Sequence, residues 1–307
     1  SRRYIMCIML SMKGKLAEVW KTQSYTGHHG PVYRLSASNS CDFFSGGSDG
    51  FLVSWKCGCD VGKALLKFNS PIFSLTSGPS ETYIGTFDGK IFGSRGTNIS
   101  QHQGPVFALI QNKNILVACG SKGEIGMYDL ESLSTVKRFF LCENNLRCLK
   151  LHPNLPLLLA AGSDGKIYVL DFYDLQELDV IEPGGASIFA LEFSSDGTYI
   201  YSAGRDAHIK VIDFKTGCRL FDIPAHFFSI NDLKLIYGGR YLGSASMDKT
   251  IRIWRTDDMK LIKVIDKARN DGHTSSVNAL LWNTENETLI SAGDDGKIFE
   301  WKIEPLC

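Results

Sequence analysis

A short pattern returns seven times along this chain: SDGFLVSW, FDGKIFGS, SKGEIGMY, SDGKIYVL, RDAHIKVI, MDKTIRIW and DDGKIFEW. Each sets a turn residue ahead of alternating apolar residues, and in six of the seven a bulky residue stands six positions after the turn. The turn positions are Asp49, Asp88, Lys122, Asp164, Asp206, Asp248 and Asp295, spaced by 39, 34, 42, 42, 42 and 47 residues. A period of roughly 40–45 residues marks one supersecondary unit used repeatedly. That confines the chain to repeat architectures and removes most enzyme classes. It does not name a partner.

One unit shows what is being repeated. From Ser187 to Phe193 apolar and polar residues alternate, and Ser194-Ser195-Asp196-Gly197 then turns the chain. Tyr199 to Ala203 reads as a second strand, Ile209 to Phe214 as a third, and Arg219 to Ile223 as a fourth. Arg205-Asp206-Ala207 and Lys215-Thr216-Gly217 supply the turns between them. Four short strands of period two form an antiparallel meander. A lone sheet of this size buries too little, so such units stack around an axis as a propeller.

The units resemble the WD40 repeat family. A Gly-His opening stands in GHHGPV at 27–32 and GHTSSV at 272–277, with weaker forms QHQGPV at 101–106 and AHFFSI at 225–230. The closing Trp-Asp is degraded to Trp55-Lys56, Tyr128-Asp129, Leu170-Asp171, Ile212-Asp213, Trp254-Arg255 and Trp301-Lys302. The resemblance implies an all-β, seven-bladed propeller. It also implies a hydrogen-bonded chain of histidine, serine, aspartate and tryptophan within a blade. Three sets are complete: His28-Ser45-Asp49-Trp55, His226-Ser244-Asp248-Trp254 and His273-Ser291-Asp295-Trp301.

The chemistry of these four residue types supports that chain independently. Carboxylate accepts, imidazole gives and takes, hydroxyl bridges, and indole N–H donates. Buried together they satisfy one another, and removing one strands the rest at about 1–3 kcal/mol. A His-Asp-Ser set also invites a hydrolase reading, but a catalytic site would not be copied into three blades. These histidines read as structural. The second unit departs most, with Phe68, Ile84 and Ser94 at the matching positions. The third has Lys122 in the turn, and the fourth has Ala160 for serine.

Ring closure is legible from the two ends. GKLAEVWKTQSYTGH at 14–28 aligns without gaps to MKLIKVIDKARNDGH at 259–273, which is a fourth strand and the loop after it. The last unit stops after its third strand, at Trp301–Ile303. Residues 15–22 are therefore expected to complete the last blade, removing the open edges of the ring. The propeller spans 15–303, with an N-terminal extension at 1–14 and a tail at 304–307. The apolar run Tyr4–Leu10 in the extension is too short to span a membrane and lacks a cleavage site, so it reads as foreign to the fold.

Lysine plus arginine balances aspartate plus glutamate at 33 each, so bulk electrostatic binding to nucleic acid is not expected. Nine scattered cysteines form no paired framework, which favours a reducing, cytoplasmic setting. Cys57-Gly-Cys59 lacks a second Cys/His pair at metal-binding spacing. No metal or cofactor is expected. Neither is a Walker loop, a GxGxxG after a strand, an HExxH or a GxSxG elbow.

Two positions per unit should face the mouth on the side of the Gly-His loops and Asp turns. The one after the first apolar residue gives Tyr33, Phe73, Phe107, Arg147, Phe189, Asn231 and Asn278. The one before the turn residue includes Phe87, Arg205, Met247 and Asp294. Four aromatics in seven equivalent places is high against 11% in the chain. An apolar, aromatic mouth with a polar sector has the composition of a binding hot spot. The rings could instead plug a narrow axial channel. The expectation is a non-catalytic scaffold, monomeric within a complex, that takes a protein or peptide partner and neither nucleic acid nor membrane. A propeller hydrolase, or a propeller that binds glycans or small molecules, is the alternative.

Overall fold

A computed structural model describes residues 18–38, 42–56 and 58–304. Seven four-stranded antiparallel sheets follow one another along the chain. Their innermost strands are Val32–Ala37, Ile72–Ser77, Val106–Asn112, Leu146–Leu151, Ile188–Phe193, Ile230–Ile236 and Val277–Asn283, which begin blades 1 to 7. These strands touch their neighbours around a closed circuit, the seventh lying against the first. The molecule is a seven-bladed β-propeller.

Apolar residues on both faces of each sheet explain the ring. Among the described residues seven buried clusters are present, each shared by two adjacent blades. Blades 6 and 7 meet over Ile251, Ile253, Leu280, Leu289 and Trp301. Blades 7 and 1 meet over Tyr25, Phe43, Trp55, Ile290 and Ile298. The cluster between blades 1 and 2 is the smallest, built from Leu52, Ile72, Leu75 and Ile84. Blade 2 has Ser94 at the position where the other blades carry a bulky residue, from Ile212 to Trp301.

The last blade takes three strands from the C-terminal end and one from the N-terminal end. Glu18–Tyr25 pairs antiparallel with Ile298–Glu304, from Glu18 opposite Glu304 to Tyr25 opposite Ile298. Ring closure thus follows the expected route, but the strand runs to Tyr25 rather than ending at residue 22. The two segments aligned in the sequence diverge here: Lys267–Asn270 is a helical turn, capped by Asp266 accepting from the Arg269 N–H. At the N-terminal end the pairing resumes beyond a bulge, and the buried Tyr25 hydroxyl donates to Glu300 at 2.8 Å. That anchor extends the strand. The extension at 1–14, residues 15–17 of the closing strand, Cys57 of the Cys-Gly-Cys pair and the end of the tail lie outside the described residues.

Candidate functional site

Three blades contain the complete hydrogen-bonded chain. His28 Nδ1 lies 2.9 Å from Asp49, His28 Nε2 2.7 Å from Ser45, and the Trp55 indole donates to Ser45 at 2.7 Å. His226 meets Asp248 at 2.9 Å and Ser244 at 2.7 Å, with Trp254 donating at 2.9 Å. His273 meets Asp295 at 3.0 Å and Ser291 at 2.9 Å, and Trp301 donates at 2.9 Å. Each aspartate also accepts the backbone N–H after the histidine, from His29, Phe227 and Thr274. Burial works to raise the Asp248 carboxyl, but hydrogen bonds from His226 and Thr250 hold it well below the usual range. Burial lowers the pKa of His226, against the opposing effect of Asp248. These groups are consumed by the fold.

Blade 3 reaches the same end with other residues. His102 Nε2 bonds directly to the Tyr128 hydroxyl at 2.7 Å, so no serine is needed. Glu124 replaces the missing turn carboxylate, accepting from the Gln103 N–H at 2.7 Å and pairing with Arg138. Burial pushes His102 down to about 4. Sequence reasoning missed this substitution because Glu124 lies two residues beyond the turn position.

The letters GxSxG do occur, at Gly46-Gly47-Ser48-Asp49-Gly50, contrary to the expectation of none. They form the hairpin between Phe43–Gly47 and Phe51–Trp55, with no helix to make a nucleophile elbow, and the adjacent His28 is bonded to Ser45 and Asp49.

The axial mouth is built by seven bulges. In every innermost strand the pairing skips one residue: between Val32 and Arg34, Ile72 and Ser74, Val106 and Ala108, and Leu146 and Cys148. It skips again between Ile188 and Ala190, Ile230 and Asp232, and Val277 and Ala279. The skipped residues are Tyr33, Phe73, Phe107, Arg147, Phe189, Asn231 and Asn278. A bulge re-aims the side chain it leaves unpaired, and all seven line one concave opening of about 440 Å³. Met247, Asp294 and Arg34 line it too. Phe87 joins through Phe73, with ring centroids 5.3 Å apart, whereas Arg205 is exposed and not part of this lining.

The mouth has two unlike sides. On one, Tyr33, Phe73 and Phe107 form a chain of rings with centroids 5.2 and 5.9 Å apart. Arg147 lies over Phe107 at 4.2 Å and reaches Phe189 at 5.8 Å. These four aromatics are half-buried, so one part of each ring meets solvent. On the other side Asn231 donates to Ser276 and to the Val277 carbonyl at 3.0 and 2.9 Å. Asn278 donates to the Val32 carbonyl at 3.0 Å and to Asp294 at 2.7 Å. Burial, with the Asp294 charge second, raises the Tyr33 phenol.

A second chamber of about 310 Å³ continues beneath. Its wall includes Ser74, Ala108, Cys148, Ala190 and Asp232, each the residue after a bulge, as is Arg34. Strict alternation would turn these residues away from the axis. The available signal was their composition: Arg34, Ser74, Ala108, Cys148, Ala190, Asp232 and Ala279 are small or polar where a packed strand would be bulky and apolar.

The family model described as "WD domain, G-beta repeat" matches residues 20–56 and 134–171. Both spans run from an outermost strand into the next three strands, so the sequence repeat straddles two blades, and closure by an N-terminal strand follows. The Cytochrome D1 heme domain model matches residues 153–303. A haem needs an axial side chain with a free lone pair. Within that span His226 and His273 have both ring nitrogens engaged, and His208 is bonded to Asp222 on the outer strands of blade 5. Among the described residues no histidine lines the axial opening, and no metal-holding group of His, Cys, Asp and Glu is formed. No histidine of that span is placed to hold a haem at the axial opening.

The chain is 34% identical over 53 residues to Cilia- and flagella-associated protein 57 of Mus musculus, a stretch covering 17% of this chain and 4% of that protein. The crystal structure of the WD40 beta propeller domain of Doa1 superposes with a TM-score of 0.83 at 18% identity, over 93% of this chain and 97% of that one. At that identity the likeness concerns the fold.

Proposed function

The chain is a WD40-repeat β-propeller, and from that premise we propose that it is a non-catalytic interaction scaffold that takes a peptide or protein partner at its axial mouth. WD40 propellers generally act as platforms for protein contact, and fold alone does not choose a site. The observation that carries this reading is the concave cluster of half-buried Tyr33, Phe73 and Phe107 with Arg147. Large aromatics and arginine in a partly desolvated hollow are the usual anchors of an interface. Plugging alone would leave them fully covered.

Against catalysis, every complete His-Asp-Ser set is spent within its blade. A glycan reading shares the stacking rings, but the amides that would meet hydroxyls are already bonded to Val32, Val277 and Asp294. The free thiols of Cys59, Cys119, Cys142, Cys148 and Cys218 accord with a reducing, cytoplasmic setting. No helix of the described residues is long and apolar enough to cross a membrane. The test is capture of partners from native lysate by the intact chain and by Phe73→Ala. Loss of a specific partner at unchanged melting temperature supports the mouth. Retention of every partner by Phe73→Ala, with loss on substituting the blade sides instead, would overturn it.

A further inference from the structure

Two arginines at the neck of the axial opening form no ion pair among the described residues, although the Arg34 charge reaches the buried Asp232 carboxyl in the chamber below and lowers its pKa against the effect of burial. Arg34 and Arg147 line both the mouth and the chamber below, so they stand where one narrows into the other. The acids around them are occupied. Glu192 pairs with Lys150, Asp232 accepts the Leu233 and Leu280 N–H groups, and Asp294 accepts from Asn278. Arg34 donates to the neighbouring Tyr33 carbonyl at 3.2 Å, and the Arg147 Nε is buried with no hydrogen-bond partner. A guanidinium carries five donors in a planar fork, so most of this pair's capacity is unused.

The two charges feel each other. Burial first, then the Arg34 charge, holds Arg147 below the usual guanidinium range. Like charges in a partly desolvated neck destabilise the free protein, and an anion between them relieves that cost. A cationic ligand is disfavoured for the same reason, and the Phe107 face that would receive it already carries Arg147.

The geometry points to the neck as the seat of an anionic side chain, so that the partner segment is acidic. Arg147, whose guanidinium carbon lies 4.2 Å from the centre of the Phe107 ring, offers its fork to a carboxylate or phosphate, which guanidinium binds through paired, charge-assisted hydrogen bonds. The surface beside the neck suggests the neighbours of that acid. Phe227 is 83% exposed, Phe228 59% and Met247 56%, and Met247 also lines the mouth. This apolar ridge continues the opening outward onto the loops of blade 6. The occupant is therefore an extended protein segment with one acidic side chain in the neck and apolar residues along the ridge. This rests on the reading of the mouth as the partner site.

A random peptide-display library selected on the intact chain tests both levels separately. Clones are first sorted by whether Phe73→Ala, which leaves both arginines in place, abolishes capture. The expected Phe73-dependent clones share an acidic residue with apolar neighbours. Their binding falls about tenfold or more with Arg34→Gln or Arg147→Gln, is partly kept by Arg147→Lys, and is displaced by inorganic phosphate at matched ionic strength. Thermal melts accompany each variant; should Arg147→Gln unfold, Arg34→Gln and phosphate displacement from the unaltered chain decide the matter. Phe73-dependent clones that are neutral or basic, or indifferent to Arg34 and phosphate, would overturn the anion site while leaving the mouth as partner site. If no clone depends on Phe73, the mouth reading falls and the anion site with it.

Discussion

The two sides of the mouth occupy equivalent repeat positions yet handle their polar groups in opposite ways. Asn231 and Asn278, on blades 6 and 7, use their amide donors to stitch the innermost strands of blades 6, 7 and 1 together. Arg147, on blade 4, reaches no acceptor with its Nε and lies on a ring instead. The amide side is also the side where the ring closes, through Glu18–Tyr25. One side is joinery and the other is surface. A side chain at the same bulge serves the fold when it reaches the next blade's carbonyl, and is free for a ligand when it does not.

The strongest way to break this comparison is to open the closing side. Deleting residues 1–25 removes the strand carrying buried Val19 and Tyr25 and exposes the edge of Ile298–Glu304. A fall in melting temperature of about 10 °C or more is expected, with binding lost only as the fold is lost. Thermal denaturation followed by circular dichroism checks this, and an unchanged melt would show that the ring closes by other means.

Next come the ring residues on the open side. Phe107→Ala and Phe73→Ala are each expected to cost about 1–4 kcal/mol of partner affinity. Their stability loss should be smaller than for a buried phenylalanine such as Phe43, because both rings already meet solvent. Titration calorimetry beside thermal melts separates the two quantities. Asn278→Ala should do the reverse, lowering stability by about 1–2 kcal/mol through the unpaired Val32 carbonyl and Asp294 while leaving affinity unchanged. If Asn278→Ala weakened binding without loss of stability, the division into two sides would fail.

Acid sharpens the structural half. Burial depresses His102 to about 4, below its ordinary 6.5. Between those values the unfolded chain takes up the proton and the folded chain does not, so stability is complete above pH 6.5 and falls as pH drops toward 4. His102→Gln should flatten that part of the stability–pH curve, measured by urea midpoints across the range. An unaltered slope would show that His102 does not carry it. The smallest effect is expected at Lys215, exposed in an outer turn of blade 5. Lys215→Ala should change stability by less than about 0.5 kcal/mol and affinity not at all.

The ring was legible in residue type and spacing. Recurrence of the turn residues, the period-two strands and the unpaired fourth strand at the N-terminal end suffice for seven blades and their closure, because each is a local requirement written in residue type and spacing. The three His-Ser-Asp-Trp sets were legible for the same reason. The rest depends on contacts between distant segments, which the folded structure supplies. It showed that Glu124 and Tyr128 stand in for a missing tetrad, since a carboxylate two residues out of place can still reach the same backbone N–H. It extended the closing strand to Tyr25, whose hydroxyl needs Glu300 from the far end of the chain. And it revealed a bulge in every innermost strand. A bulge leaves no mark in the apolar pattern beyond a single shift of register, yet that shift turns Arg34 toward the axis beside Arg147.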